Sequence, residues 1–404
     1  MSYSEWEVVK LSTILDFYNG KVRPKMQGNI PVFGGNGIMD YANEYNYSDE
    51  NIIIGRVGAY CGNVNYYYGK LWISDNAINI KPKESLSYGK YVYYLLINQN
   101  LHNRRIGSSQ PLITQTILKN IEVRIPPMEE QKAIANILSS LDDKIELNNK
   151  INKNLEEMAQ ALYKQWFVDF EFPNEDGEPY KSSGGDMIES ELGLIPKGWE
   201  AVNLIDLVDK VNGYSYKGTD LGESKIGMVT IKNSSRDRLF NIDGFKDIMN
   251  VDRVKERHFV NKGDVLITCT DVTQNADYIG NSIYLYSLGK YDKLIYSMDL
   301  IKLVSKNEKI SNHIIYEITR DINFKNFALG YTKGTTVLHL NKNVIDDYKI
   351  AVPKNKLLQD FDKLIKDFHF KVGTLMNENI YLMKLRDTLL PKLMSGEIEV
   401  PIEG

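Results

Sequence analysis

The sequence predicts an α+β protein: two α/β-type bodies with mixed sheets and two long helices that form an intramolecular antiparallel coiled coil, arranged as a pseudo-twofold internal duplication. Three observations carry this. The stretch GSSQPLITQTILKNIEVRIP, residues 107–126, returns as GTTVLHLNKNVIDDYKIAVP at 334–353, with glycine, two small hydroxyl residues and a closing apolar-x-apolar-Pro in the same places, 227 positions apart. The two halves also open alike, WEVVKLSTIL from Trp6 and WEAVNLIDLV from Trp199. Finally, each copy of the repeated stretch is followed by an apolar stripe at alternating steps of four and three, the spacing of a coiled-coil seam. A chain of 404 residues exceeds one ordinary core. The expected segments are a body at 1–127, a helix at 128–172, a linker at 173–197, a second body at 198–353 and a second helix at 354–404.

Within the bodies, β-branched runs such as NIIIGRV and GDVLITCT, bounded by Gly, Asn and Asp, read as strands. The first stripe is Ile134, Leu138, Leu141, Ile145, Asn148, Asn152, Leu155, Ala159, Leu162 and Trp166. Adding 227 gives Phe361, Ile365, Phe368, Val372, Leu375, Asn379, Leu382, Arg386, Leu389 and Leu393. Burying each stripe against the other satisfies both. Asn148, Asn152 and Asn379 interrupt the seam; polar residues there sacrifice stability and commonly fix register, the alternative being a frayed or partner-facing stretch. In IPPMEEQ, Pro127 suits a first helical turn and Glu129 and Glu130 complement the helix dipole, whereas VPKNKLLQ has no such cap. Pro391 is expected to end or bend the second helix, and Gly396 to stop it. The polar, Gly/Ser-rich centre of FEFPNEDGEPYKSSGGDMIESELGLIPKGWE reads as a linker.

Composition excludes several classes. Hydrophobic residues at 43% and charged residues at 25% are values of a soluble globular protein. No apolar run approaches a membrane span, and MSYSEWEVVK lacks the apolar centre of a signal peptide, so the cytoplasm is the expected location. Cys61 and Cys269 have no CxxC or Cys/His neighbourhood, and the five histidines are scattered; no metal site is expected. The net charge of -4 hides a distribution. Residues 1–127 hold 13 Lys+Arg against 10 Asp+Glu and residues 198–353 hold 21 against 20, while residues 128–197 hold 7 against 15. Acid is concentrated in the connecting segment, which leaves both bodies able to meet DNA. No N-P-P-[YF], D-P-P-[YF] or G-x-x-x-x-G-K-[ST] occurs, and Asp142-Asp143-Lys144 reads as helix surface charge. The chain is expected to catalyse nothing alone.

The segments PPMEEQKAIANILSSLDDKIELNNKINKNLEEMAQALYKQWFVDF, FEFPNEDGEPYKSSGGDMIESELGLIPKGWE and LRDTLLPKLMSGEIEVP, with the repeated G-[ST]-[ST] to Pro stretch, resemble the specificity subunit of type I restriction-modification enzymes. The resemblance covers the whole chain in the expected order. It implies that each body is a target recognition domain reading one half of a bipartite, asymmetric double-stranded DNA target. It also implies that the spacer helices hold two methyltransferase (modification) subunits, and that motor and nuclease (restriction) subunits join for cleavage. S-adenosylmethionine, and ATP and Mg for cleavage, are then expected on partner subunits, with none bound by this chain. The alternative is a non-catalytic coiled-coil scaffold with protein-binding end domains; the rival from the enzyme class is a stand-alone nuclease or methyltransferase.

Candidate DNA contacts follow. IPVFGGNGIMDY is either a tight hairpin or a loop that places Asn36 and Tyr41 at DNA. Arg56, Arg104 and Arg105 are candidates for guanine edges or phosphates, with an ordinary surface role as the alternative. In the second body, Lys232, Asn233, Ser234, Arg236 and Arg238 lie in the basic stretch IKNSSRDR, a contact loop or a solvated turn. Ser108 and Ser109, and Thr335 and Thr336, donate to phosphate or merely make a turn. Of the tyrosines 66 to 68, at least one ring is expected in the core. Gln160 and Lys164 are expected to be exposed on the spacer helix, where partners would dock.

Overall fold

The structure, a computed structural model, describes residues 6–107, 111–273, 275–306, 310–354 and 356–401. It divides into two compact units, Met1–Ile145 with Tyr381–Gly404, and Glu146–Ile380. Each unit therefore takes part of both long helices, Met128–Tyr163 and Leu357–Ser395.

In the first unit a four-stranded antiparallel sheet runs in the order Leu15–Asn19, Ala77–Pro82, Glu50–Gly55, Val64–Tyr68. A smaller mixed sheet holds Gly37–Ala42, Ile30–Gly34 and Trp72–Ile73. Strand alternation divides the side chains between two cores. Ile52 and Ile54 join Tyr91, Leu95, Leu138 and Leu393, while Ile53 joins Phe33, Leu71 and Ile73. The tyrosine run obeys the same rule: Tyr66 packs on the larger core and donates to Glu50 Oε1 at 2.8 Å, Tyr67 lies 5.2 Å from the Phe33 ring, and Tyr68 is exposed.

The second unit repeats this plan. Its antiparallel sheet has the order Val208–Asn212, Leu300–Ser305, Val265–Thr268, Ser282–Tyr284, and its mixed sheet the order Lys246–Asp247, Ile226–Val229, Lys293–Tyr296, Phe259–Val260. In both units the opening strand pairs with the strand that closes the repeated stretch, Glu7 opposite Ile125 and Glu200 opposite Val352. Two likenesses in the sequence, the tryptophan openings and the apolar-x-apolar-Pro endings, are thus one feature of the fold.

The long helices form the antiparallel coiled coil. In the first unit Arg386 Nη1 donates to Asp142 Oδ1 at 2.7 Å, and Ile134 and Leu138 share a core with Leu389, Leu390 and Leu393. In the second, Asn148 Nδ2 donates to Asn379 Oδ1 at 2.8 Å, and Phe361 lies against Tyr163 and Trp166. Every stripe residue is buried or half-buried. Asn152 is buried too, yet neither its side-chain nitrogen nor its oxygen has a hydrogen-bond partner.

Four expectations change. Gln160 is not free surface: it is half-buried and donates to Glu317 O at 2.9 Å and to the Glu317 carboxylate. It borders a buried charged cluster in which Arg320 pairs with Glu156 at 3.2 Å and His369 Nε2 stands 3.0 Å from Glu317 Oε1. The second helix does not end at Pro391 but continues to Ser395, after which Gly396 takes a φ of 75°. The first helix ends earlier than 172, in a wide turn at Lys164–Val168, and Phe170 at φ 62° turns the chain away. The 173–197 stretch contains the hairpin Met187–Ser190 with Gly193–Pro196, and Phe172 stacks on Tyr180 and Trp199, so it is more ordered than its Gly/Ser content suggests.

The two helix starts differ for a visible reason. Gln131, buried, donates to Pro126 O and Leu86 O and accepts from Tyr88 N, pinning the first helix to its body. Its counterpart 227 positions on is Leu358, which is buried as an apolar side chain. Cys61 and Cys269 are free and buried, and burial pushes the Cys269 thiol up to about 12.

Candidate nucleic-acid interface

The repeated stretch closes each unit in the same way. In the first unit Leu112 bridges both Ile106 and Val57, with Ile113 N donating to Arg56 O and Gly58 N to Pro111 O. In the second, His339 pairs with both Lys333 and Thr270, and Leu340 N donates to Cys269 O. Ile106 and Leu112 are the residues 227 positions before Lys333 and His339, so the correspondence holds residue by residue. Gly107 and Gly334 both have positive φ, 85° and 114°. A Cβ on Gly334 would lie 2.1 Å from Val337 O, so only glycine makes this turn.

A second repeat, missed in the sequence reading, sits against the first. Tyr60-Cys61-Gly62-Asn63 and Tyr278-Ile279-Gly280-Asn281 share Tyr-x-Gly-Asn. Gly62 and Gly280 have φ of 95° and 68°, and a Cβ on either would meet packed neighbours, His102 N at 2.9 Å and Ala328 Cβ at 2.7 Å. Both asparagines join three segments. Asn63 Nδ2 donates to Asn36 Oδ1 at 3.2 Å, and its Oδ1 lies 2.9 Å from His102 Nε2. Asn281 Nδ2 donates to Ser234 Oγ at 3.1 Å, and its Oδ1 accepts from Lys325 Nζ at 2.9 Å.

The candidate contacts distribute as follows. Asn36 is exposed on the hairpin between Ile30–Gly34 and Gly37–Ala42, and Tyr41 is exposed on the second strand. Arg104 and Arg105 are exposed and donate Nε to Gln99 O and His102 O; Arg56 is half-buried. Among the described residues, Arg56, Arg104, Arg105 and Lys232 form no ion pair. Thr335 and Thr336 are exposed at the turn after Gly334. Ser108 and Ser109 lie outside the described residues.

The basic stretch of the second body separates into two groups. Lys232 and Arg236 are exposed, Arg236 paired with Asp277 at 3.3 Å. Asn233 and Ser234 are buried. Asn233 accepts from Thr230 N and donates to Asn241 O, and Ser234 accepts from Asn281. Arg238, half-buried at φ 61°, donates to Arg320 O at 3.0 Å. These three hold the loop from within and leave Lys232 and Arg236 to face outward. Sequence alone shows the polarity of the stretch, not which of its groups fold back.

The loop 271–280 is also built from within. The Asp271 carboxylate accepts from Thr273 N, Thr273 Oγ1, Tyr278 N and Ile279 N at 2.5–3.1 Å. Burial pushes this carboxyl up, but those donors outweigh it and hold it below the usual carboxylate value. Lys325 donates to Ala276 O, Ile279 O and Asn281 Oδ1, and burial lowers its ammonium to about 8. No cluster of His, Cys, Asp and Glu able to hold a metal occurs among the described residues. None of their helices is long and apolar enough to cross a membrane.

Comparison with known proteins agrees with this duplicated plan. The profile of the type I restriction modification DNA specificity domain matches residues 3–157 and 196–378. The chain is 26% identical to the type I restriction enzyme MjaIX specificity subunit of Methanocaldococcus jannaschii, over 98% of this chain and 94% of that protein. It is 27% identical to the HindI specificity subunit of Haemophilus influenzae, over 81% of each. The crystal structure of a type I restriction-modification S subunit from M. genitalium has the same fold, with a TM-score of 0.53 at 17% identity, covering 100% of this chain and 98% of that one. Two domain matches spanning both units and relatives aligned nearly end to end place the chain in the family of type I restriction-modification specificity subunits.

Proposed function

We propose that the chain gives a type I restriction-modification enzyme its DNA specificity, each unit reading one half of a bipartite, asymmetric duplex target. The observation that carries this reading is the repeated frame: two units of one plan, each with its own core, present different exposed side chains on equivalent segments. Arg56, Arg104 and Arg105 in the first unit and Lys232, Arg236, Thr335 and Thr336 in the second are the proposed contacts to base edges or phosphates. Asn36 and Tyr41 complete the set.

Chemistry is assigned to partners. The spacer helices dock two methyltransferase subunits, which would bring S-adenosylmethionine; restriction subunits with ATP and Mg would join for cleavage. Support comes from the helix surfaces, where Leu147, Met158, Leu364 and Phe370 expose apolar side chains that a partner would cover. The test is to express the chain with its methyltransferase and map methylated adenines by single-molecule sequencing. A single motif of two defined half-sites with a fixed gap is expected. A contiguous motif, or methylation without sequence preference, would overturn the reading.

A further inference from the structure

The two units share a frame but not what it carries. On one side of the frame, Val57 and Thr270 hold equivalent places against the repeated stretch. On the other stands Tyr-x-Gly-Asn, fixed by its glycine and by its asparagine hydrogen bonds. Between these points the first unit has two residues, Gly58 and Ala59, and the second has seven, 271–277. The longer insert is held by the Asp271 and Lys325 hydrogen bonds, and among its described residues Val272 (66% exposed) and Asn275 are exposed. In the first unit the two-residue insert carries no large side chain, and the frame's own Tyr60 is 51% exposed, whereas its counterpart Tyr278 is half-buried.

A constant frame bearing inserts of different length and chemistry is what reading two different half-sites requires. The insert is also linked to the proposed contact loops, since Asn63 hydrogen-bonds Asn36 and Asn281 hydrogen-bonds Ser234 beside Arg236. The Arg236 guanidinium reaches the insert itself at Asp277. We propose that insert length sets which side chains each unit presents to bases: the short insert leaves the frame's Tyr60 to read one half-site, and the long insert presents Val272 and Asn275 to the other. The chemistry fits: an aromatic ring and a valine suit thymine methyls or the flat faces of bases, and an asparagine amide can meet the N6/N7 edge of adenine. This rests on the half-site reading proposed above.

The experiment uses the full chain assembled with its methyltransferase, in three versions: unmodified, Tyr60→Ala, and Val272→Ala with Asn275→Ala. Each is offered a DNA library randomised in both half-sites, and methylation is read by sequencing. Tyr60→Ala is expected to relax discrimination roughly five- to hundredfold at positions in one half-site only, and the double variant to do the same in the other. These side chains are exposed, so unfolding midpoints and co-purification with the methyltransferase should stay unchanged, which separates lost reading from lost folding. Variants that fold, assemble and keep the original preference within about twofold would overturn the assignment of these loops. So would a change spread over both half-sites from either variant. If the unmodified complex yields no bipartite motif, the half-site reading itself falls and takes this inference with it.

Discussion

Asp271 shows how much of the second unit's outer surface depends on one side chain. Its carboxylate satisfies three backbone N–H groups and a hydroxyl, which a neutral amide cannot match because only one of its ends accepts. Asp271→Asn is therefore expected to cost roughly 1.5–3 kcal/mol, the range for hydrogen bonds to a charged group. The pH dependence has a definite sign. The folded carboxyl lies below its ordinary value of 3.8, so its stabilisation is complete above that value and is lost as pH falls below about 4. Urea unfolding of both proteins from pH 7 to pH 3 checks this: the wild-type advantage should hold at neutral pH and shrink in acid. A constant difference across the range would show that the charge is not what holds the loop. Residues of this kind were illegible in the sequence. Nothing in TDVTQNADYIGN marks Asp271 as an acceptor of its own loop, and the Tyr-x-Gly-Asn repeat escaped notice because its copies lie 218 positions apart, not 227. The stretches between the two repeats, 64–106 and 282–333, differ in length and shift the offset, and a search at one period does not see it.

At the scale of elements the sequence was far more readable, because helical periodicity is local and burial of one face is its direct consequence. All twenty stripe positions are shielded, including the three asparagines, but those asparagines are not equivalent. Asn148 donates across the seam to Asn379 Oδ1 and Glu378 Oε2, and Asn379 donates to Asn149 Oδ1, whereas Asn152 has no partner. Asn148→Ala and Asn152→Ala remove the same atoms and gain the same helix propensity, so comparing them isolates the hydrogen bonds. Asn148→Ala should be the less stable by about 1–3 kcal/mol, measured by equilibrium denaturation; equal stabilities would remove the case that this polar pair holds the register. The outer helix face yields a different prediction. Phe370 is 72% exposed on the second helix, so Phe370→Glu is expected to leave the unfolding midpoint within about 0.5 kcal/mol while reducing co-purification with the methyltransferase. Full retention of the partner would place docking elsewhere. What the sequence did not reveal about the helices was their ends, where Pro391 is carried inside the helix and Gln131 pins one start but has only Leu358 opposite it in the repeat.

For the whole molecule, the chain order and the compact units do not coincide. The first unit is closed by the far end of the sequence: Leu390, Leu393, Met394 and Val400 share one core with Leu11, Ile14, Tyr91, Leu118 and Leu138. The sequence showed two bodies and two helices but not this allocation, since it depends on contacts between residues hundreds of positions apart that carry no local signature. It governs how the specificity should be exchanged. Replacing residues 1–127 with the corresponding body of a relative retains residues 128–145 and 381–404, so the incoming body must fit a core surface built for another. Mismatched packing there costs about 1–3 kcal/mol per overfilled or emptied position. An exchange that carries both segments with the body avoids those mismatches and should unfold at a higher denaturant concentration than the simple replacement. Both chimaeras, assembled with the methyltransferase, should methylate a motif in which one half-site is the donor's and the other is unchanged. Measuring unfolding and mapping methylated adenines on the same preparations separates the two claims. A less stable larger exchange would contradict the shared core, and a motif altered in both halves would contradict the independence of the two units.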